Sequence, residues 1–249
     1  MVSQSTYAAV ITAGGRVDSE FAGVIGTPVK ALAPFAGSTF LAIAIAAVRE
    51  IGLERIAVVG GSEVRAACAA SVERVIDESE DGTENLRRAL FAWDEQTPLL
   101  YVTSDMPFID GDALRGFLRG VPPKTLALPL TEWAEFERRF PDPPPFGITL
   151  AGEKVVNGGA FVIPPRAHTA IENFAMRFFE ARKSVWQMAR LAGPALLLRF
   201  VFRRLGVAQL EAHARRQLGI PALAVRNAPP ELAYDVDVLA EYRYAITRA

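Results

Sequence analysis

Asp105 follows a short apolar run, at a position where a carboxylate could bind a cation. Residues 99–103 are rich in apolar, aromatic and β-branched types and lie between Pro98 and Pro107, which is the pattern of a buried central strand. Ligands of α/β sheets gather outside the carboxyl ends of the strands. The pattern is typical either of a ligand to a divalent cation or of an ordinary turn aspartate.

A glycine pair and two basic residues near the start of the chain could bind an anion. The apolar run 8–12 ends close to Gly14 and Gly15, and Arg16 follows them directly. Adjacent glycines let backbone N–H groups approach an anion closely. Lys30 follows an irregular stretch, where its ammonium could act as a point charge for phosphate. A tight turn without a ligand is the alternative interpretation.

The spacing of these glycines argues against two common nucleotide-binding loops. A dinucleotide-binding fingerprint needs Gly-x-Gly-x-x-Gly, and a P-loop needs Gly-Lys followed by Ser or Thr. Gly14 is followed at once by Gly15, and no Gly-Lys-Ser or Gly-Lys-Thr tripeptide occurs. A redox domain on a dinucleotide-binding fold is therefore disfavoured.

Strand-like runs alternate with helical stretches, which predicts right-handed βαβ units and a mostly parallel sheet. The predicted strands are Tyr7–Thr12, Arg55–Val59, Arg74–Ile76, Leu99–Thr103, Thr125–Leu128 and Ala160–Ile163, with a last short strand at Ala224–Arg226. The predicted helices are Thr39–Glu50, Glu63–Ala70, Glu84–Trp93 and Asp110–Leu118, with a terminal helix from Val238. Residues 17–29 and the proline-rich stretch 141–147 are predicted to be irregular loops.

The chain changes character after Pro165 and reads as almost wholly helical over residues 168–218. We predict a single domain over residues 1–249 that contains a helical insertion or subdomain at residues 166–220. Within it, the apolar stretch 195–205 also carries arginines. It is either a core helix with snorkelling arginines, which we favour, or an interfacial helix.

The composition is that of a folded globular protein without attraction for nucleic acid. Of 249 residues, 51% are hydrophobic and 22% charged, and 27 Lys and Arg against 28 Asp and Glu give a formal net charge of −1. No run of about 18 apolar residues is present to span a membrane, so a cytoplasmic protein is expected. Cys68 is the only cysteine, which rules out an intrachain disulfide and suggests a small buried thiol.

Four motifs, taken together, resemble those of the MobA-like nucleotidyltransferases (NTP transferases). They are Ala13-Gly14-Gly15-Arg16, Pro28-Val29-Lys30-Ala31-Leu32, Ser104-Asp105-Met106-Pro107-Phe108 and Tyr234-Asp235-Val236-Asp237. The resemblance covers residues 7 to about 161 and continues from residue 235, and its most specific part is Asp-Met-Pro. It implies a three-layer α/β/α fold, Rossmann-like and GT-A-like, with a mostly parallel sheet.

The resemblance also implies a role for each matched residue. The glycine loop would line a triphosphate, Lys30 would lie beside it, and Asp105 would bind Mg²⁺ together with Asp235 or Asp237. The residues expected to act in catalysis are Arg16, Lys30 and Asp105, and those expected to bind the metal are Asp105, Asp235 and Asp237. The residues expected to bind ligands are Ala13, Gly14, Gly15 and Asn85 on the nucleotide side and Asn157 in the loop that meets the acceptor.

The implied reaction is Mg²⁺-dependent transfer of a nucleoside monophosphate to a small, phosphorylated acceptor, with release of pyrophosphate. The expected donor is a nucleoside triphosphate, with CTP or GTP favoured, and neither a nucleic acid partner nor a membrane span is expected. The helical region could cover the acceptor, form a homodimer interface or bring the site to a lipid-linked substrate. Lys154, Arg182 and Lys183 are the nearest candidates by chain position for the acceptor's phosphate, although we favour the interpretation that all three are surface cations.

Departures from the family pattern leave two other functions open. Acidic residues follow Arg16, and Asp18 or Glu20 would repel a triphosphate unless turned away; Val29 also separates Pro28 from the lysine. The chain could therefore be a non-catalytic nucleotide-binding domain of the same fold. A glycosyltransferase of this fold is disfavoured, because Thr103 stands where those enzymes carry the first aspartate of Asp-x-Asp.

Overall fold

A mixed sheet of nine strands forms the centre of the molecule. The structure is a computed structural model that describes residues 7–181, 187, 190–191 and 193–249. The strands are β1 (Ala8–Thr12), β2 (Pro34–Phe35), β3 (Ser38–Thr39), β4 (Ile56–Gly60), β5 (Arg74–Asp77), β6 (Leu99–Thr103), β7 (Leu126–Glu132), β8 (Ile148–Leu150), β9 (Glu153–Asn157), β10 (Ala160–Ile163) and β11 (Ala222–Arg226). β2 and β3 form a separate hairpin.

The sheet is mostly parallel. The strands are ordered β5-β4-β1-β6-β10-β7-β9-β8, and β11 pairs with β7 outside this path. Only β9 and β10, among the described strands of this sheet, run against the others. β1, β4 and β6 lie side by side and in parallel, so the loops that follow them emerge at the same edge of the sheet.

Helices cover both faces of this sheet. The described helices are α1 (Ser19–Ile25), α2 (Phe40–Glu50), α3 (Ser62–Cys68), α4 (Gly82–Leu90), α5 (Gly111–Arg119), α6 (Trp133–Arg139), α7 (His168–Ala181), α8 (Pro194–Val201), α9 (Val207–Leu218) and α10 (Leu239–Ile246). In the described part of the chain, no helix combines the length and the apolar character needed to cross a bilayer.

Alternate residues of β1 pack into two different cores. Ala9 and Ile11 lie in a cluster with apolar residues of α2 and α5, whereas Ala8 and Val10 lie in a cluster with residues of α4. Successive side chains of a strand point to opposite faces of its sheet, and a strand buried on both faces reads as a continuous apolar run. The predicted three-layer α/β/α fold is confirmed.

Residues 17–29 are not a continuous irregular loop, because they contain α1. Asp18 caps this helix by accepting a hydrogen bond from the backbone N–H of Phe21 at 2.9 Å. Gly26 ends it in the left-handed conformation, with φ of 77°. Both are standard helix boundary signals, and the helix was missed because it is only 7 residues long.

The stretch 195–205 is not a core helix, which corrects the interpretation favoured from the sequence. Among the side chains of this stretch whose burial is described, only Leu196 of α8 and Leu205 beyond it are buried, whereas Leu198, Val201 and Phe202 are exposed. α7, α8 and α9 follow one another between β10 and β11. That residues 166–220 form an insertion within one domain stays a prediction.

Gly158 and Gly159 lie against the C-terminal segment. The backbone N–H of Gly158 donates to Pro129 O at 3.1 Å, and that of Gly159 donates to Leu232 O at 3.0 Å. A Cβ atom on Gly158 would lie 2.3 Å from Leu232 O, which is too close for any side chain. The close approach brings the chain around residue 232 next to β7 and β10.

We expect Gly158→Ala to lower the free energy of unfolding by about 1–3 kcal/mol, since backbone must move to admit the methyl group. Gly23→Ala is the matched control, because nothing lies within 4 Å of the added Cβ and alanine favours a helix over glycine. Urea unfolding of both variants measures the difference. A Gly158→Ala protein as stable as the control would contradict the close packing described.

Candidate active site

Lys30 joins two carboxylates that are far apart in the sequence. Its Nζ donates a hydrogen bond of 2.6 Å to Asp105 Oδ2 and another of 2.6 Å to Asp237 Oδ1. The two oxygens are therefore at most twice that distance apart. Asp105 lies just after β6, and Asp237 lies just before α10, so the fold brings both ends of the predicted constellation together.

Backbone and aromatic contacts hold the second aspartate in place. Val236 N donates to Asp105 O at 3.0 Å, which ties the two segments together directly. Glu241 Oε2 accepts hydrogen bonds from Asp237 N at 2.6 Å and Val238 N at 2.9 Å. Tyr234 is fully buried within a cluster of rings contributed by Phe108, Phe136, Phe140, Phe146 and Tyr244.

Around Lys30, the described residues supply more carboxylates than cations. Asp105 Oδ1 is buried and has no hydrogen-bond partner among those residues, although buried polar atoms are nearly always paired. Burial, and next the charges of Asp105 and Asp237, raise the pKa of Asp235 to about 7. The two carboxylates that bind Lys30 outweigh the effect of its burial and raise its pKa. The site is thus short of positive charge.

This shortage fits a divalent cation that is bound together with a ligand. No three His, Cys, Asp or Glu side chains in the described part of the chain are arranged to hold a metal by themselves. Mg²⁺ is usually held by one or two carboxylates, with waters and phosphate oxygens completing its shell. Asp105, through its unpartnered oxygen, and Asp237 or Asp235 are the residues that fit such an ion.

The glycine loop lies against Lys30. Ala13 N donates to Val59 O at 2.8 Å, and Lys30 N donates to Gly15 O at 2.9 Å. Arg16 pairs with Val29 in an isolated antiparallel bridge. A Cβ on Gly15 would lie 3.3 Å from Lys30 Cε, so the glycine permits the lysine to approach. The loop, the lysine and the carboxylates therefore form one continuous site.

Glu78 belongs to this site, although the sequence analysis missed it. Its carboxylate forms an ion pair with Arg16, whose Nη1 also donates to Gly14 O at 3.3 Å. A Cβ on Gly14 would lie 2.2 Å from Glu78 Oε2, so the acid occupies the space beside the glycine loop. Its place directly after β5, at the edge where β1 and β6 end, was the available signal.

The acidic residues after Arg16 are directed elsewhere. The carboxylate of Asp18 caps α1. Glu20 is highly exposed and lies 3.7 Å from Arg243 of α10. The repulsion that these two residues would exert on a triphosphate is therefore weaker than the sequence alone suggests.

Other predicted residues are not joined to the carboxylates. Asn85 uses its side chain on the backbone of Ser79, accepting from N at 2.6 Å and donating to O at 2.8 Å. Asn157 is exposed at the end of β9 and lines an apolar cavity of about 330 Å³ beside α9. Contact of Asn85 with a nucleotide, and of Asn157 with an acceptor, stays a prediction.

Of the three cations suggested for the acceptor's phosphate, only Lys154 lies within the described residues. Lys154 lies over the ring of Trp133, and no ion pair with an acid is seen for it among the described residues. Arg182 and Lys183 lie outside the described residues. Contact of these cations with an acceptor stays a prediction.

Comparisons with known proteins agree with the geometry. Residues 9–135 match the model of the MobA-like NTP transferase domain. A hypothetical transferase from Thermus thermophilus has a similar structure, with a TM-score of 0.81, 27% sequence identity, and coverage of 93% of this chain and 97% of the other. A search of curated proteins gives no match.

Two more distant structures share the fold. A nucleotidyl transferase from Methanothermobacter thermautotrophicus has a TM-score of 0.58 and 16% identity, over 98% of this chain and 97% of the other. A Mycobacterium tuberculosis protein solved as a complex with manganese has a TM-score of 0.54 and 19% identity, over 98% and 100% of the two chains. At such identities the likeness concerns the fold alone.

Proposed function

Because this chain belongs to the MobA-like NTP transferase family and is a nucleotidyltransferase, we propose that it transfers a nucleoside monophosphate from a nucleoside triphosphate to a small phosphorylated acceptor. The reaction requires Mg²⁺ and releases pyrophosphate. The single observation that carries this proposal is the bonding of Lys30 to both Asp105 and Asp237. Asp105 keeps a second, unpartnered oxygen for a cation.

In the proposed reaction, an oxyanion of the acceptor attacks the α-phosphorus of the nucleotide. A new oxygen–phosphorus bond forms while the bond to the oxygen that bridges to the β-phosphorus breaks, and pyrophosphate leaves with that electron pair. The acceptor phosphate is already ionised at neutral pH, so no protein base is needed. The work left to the protein is positioning and neutralisation of charge.

Different residues of the chain would bind the phosphates and the metal ion. Gly14 and Gly15 carry no side chains of their own, so their backbone N–H groups would be able to approach a phosphate, with the Arg16–Glu78 ion pair beside them. Lys30 lies between this loop and the carboxylates, so its ammonium serves either the carboxylates or a phosphate. Asp105 and Asp237 would hold Mg²⁺, which when bound supplies positive charge to the phosphate oxygens. Asp235 is the alternative second ligand.

Two features support the choice of ligands. A Mycobacterium protein of the same fold was solved with manganese, which supports a divalent cation. The family model is that of an NTP transferase, which supports a triphosphate donor. Within that class we keep CTP and GTP as the favoured nucleotides.

Pyrophosphate release tests the proposed reaction. The protein is incubated with Mg²⁺, one of CTP, GTP, ATP or UTP, and pooled phosphorylated metabolites. We expect release with at least one nucleotide, and its loss with EDTA or in Asp105→Ala. Nucleotide binding without turnover would instead favour the non-catalytic domain, and consumption of nucleotide sugars alone would favour a glycosyltransferase.

We expect Glu78→Gln to tighten binding of the nucleoside triphosphate about three- to tenfold. The change removes a negative charge beside the glycine loop and frees Arg16, and a partly screened charge at this range is worth about 1 kcal/mol. Calorimetric titration with CTP and GTP measures the affinity. Glu80→Gln is the matched control, since Glu80 is exposed two residues further on. Binding by Glu78→Gln no tighter than by the control would contradict this role.

A further inference from the structure

Exposed apolar and basic side chains occur along α8 and the residues that follow it. We define this basic apolar face by Leu197, Leu198, Arg199, Val201, Phe202, Arg203 and Arg204. Its most exposed apolar side chains are Leu198, Val201 and Phe202, which are 56%, 64% and 67% exposed. Single exposed apolar residues are ordinary, but a contiguous group marks a surface that binds something.

Buried residues before and after the basic apolar face fix its position against the sheet. Leu196, at the start of α8, and Leu205, after its end, lie in one apolar cluster with Leu150 of β8 and Val155 of β9. These contacts fix the helix against the edge of the sheet at two points. The remaining side chains cannot turn inward without breaking them, so their exposure belongs to the folded arrangement.

The charge of this region indicates what it binds. Arg199, Arg203 and Arg204 are exposed, and none of the ion pairs found among the described residues includes them. Between Glu180 and Glu211 the sequence contains six Lys and Arg residues and no Asp or Glu, although the whole chain has a formal net charge of −1. Positive charge is therefore concentrated in one stretch of the sequence of a nearly neutral protein.

We propose that the basic apolar face docks on the surface of an anionic lipid bilayer. A helix that combines exposed apolar side chains with arginines lies in the plane of the interface, with its apolar groups at the boundary of headgroups and acyl chains. The arginines pair with anionic headgroups, each contributing about 1 kcal/mol. The apolar side chains account for a bilayer as the partner, since a polyanion alone would not cover them.

Sedimentation with lipid vesicles tests this inference on the full chain. Vesicles of phosphatidylcholine alone are compared with vesicles that also contain phosphatidylglycerol. We expect binding to the anionic vesicles and little to the neutral ones. The triple variant Arg199→Gln, Arg203→Gln, Arg204→Gln should weaken binding about 100-fold, which corresponds to about fivefold for each arginine.

Matched variants distinguish the effect of this face from a general loss of charge or of apolar surface. Arg119→Gln, Arg138→Gln and Arg243→Gln remove the same charge from exposed positions elsewhere, and binding should fall by less than about threefold. Val201→Ser with Phe202→Ser should weaken binding by about tenfold or more. Val24→Ser with Ile246→Ser, which changes two other exposed apolar residues, should leave binding unchanged. Circular dichroism verifies that each variant is folded.

Three results would overturn the inference. One is equal binding to neutral and anionic vesicles, and another is the absence of binding to either. The third is binding that is insensitive to the arginine triple variant. Sedimentation velocity without lipid identifies the competing occupant: if Val201→Ser with Phe202→Ser dissociates a dimer and vesicles do not bind, the face is an interface between copies of this chain.

Discussion

Asp105→Asn is expected to lower the rate of nucleotidyl transfer by about 10²- to 10³-fold while the protein stays folded. Asparagine has nearly the same shape but carries no negative charge. It therefore supplies at most a neutral amide oxygen in place of the anionic ligand that the unpartnered Oδ1 of Asp105 offers. Loss of a single electrostatic group from a pre-arranged site has effects of this size. Pyrophosphate release at saturating nucleotide measures the change.

The control for Asp105→Asn is the same substitution at an exposed position. Asp112 lies in the first turn of α5, and its side chain is 90% exposed and paired with Arg115. Asp112→Asn should retain full activity. Thermal unfolding of both variants separates a chemical effect from a folding defect. A folded Asp105→Asn protein with activity within a few-fold of the unchanged chain would remove Asp105 from the mechanism.

Lys30→Met should lower nucleotidyl transfer by about 10²-fold and at the same time strengthen the binding of a divalent cation. The lysine Nζ is hydrogen bonded to both carboxylates, so it competes with a cation for them. Methionine keeps a similar length but neither competes nor neutralises a phosphate. The loss of rate follows from the missing charge at the phosphates. The gain in cation affinity follows from the missing competitor.

Two measurements on Lys30→Met separate these effects. Titration with Mn²⁺ in the absence of nucleotide gives the cation affinity, and pyrophosphate release gives the rate. Lys124→Met serves as control, because Lys124 is an exposed lysine without an ion pair to the carboxylates among the described contacts. Weaker Mn²⁺ binding by Lys30→Met would mean that the lysine supports the cation rather than competing with it.

The centre of the fold was predictable because its strands are buried on both faces. β6 and β10 have the predicted bounds, Leu99–Thr103 and Ala160–Ile163. The more exposed edge was not predicted: β8 and β9 form a short hairpin, and the sequence there contains no long apolar run. α1 and α6 were missed for a similar reason, since each is 7 residues long and buries few side chains.

The arrangement within the candidate site depended on tertiary contacts that no local pattern contains. The motif order predicted that Lys30, Asp105 and a late aspartate would be near one another. It left open which of Asp235 and Asp237 would lie beside Asp105 as the second carboxylate. The contact of Lys30 with Asp237 favours Asp237. Glu78 lies beside Gly14 only because β5 and β1 are both neighbours of β4.

The exposed face of α8 was misjudged because sequence alone cannot assign the partner of an apolar helix. Leucine-rich segments usually belong to the core, and arginines there are ordinarily read as snorkelling. Among the described side chains of this segment, Leu196 and Leu205 are the ones that contribute to a core. The run of basic residues without an acidic one was the signal in the sequence for an exposed segment.

The most direct test of the account is a crystal structure of the protein with a nucleoside triphosphate and Mn²⁺, located by its anomalous scattering. The account predicts a peak about 2.1 Å from Asp105 Oδ1, a second ligand from Asp237 or Asp235, and Lys30 Nζ displaced onto a phosphate beside Gly15. A bound nucleotide with Lys30 still joined to both carboxylates, or a manganese peak away from Asp105, would contradict it.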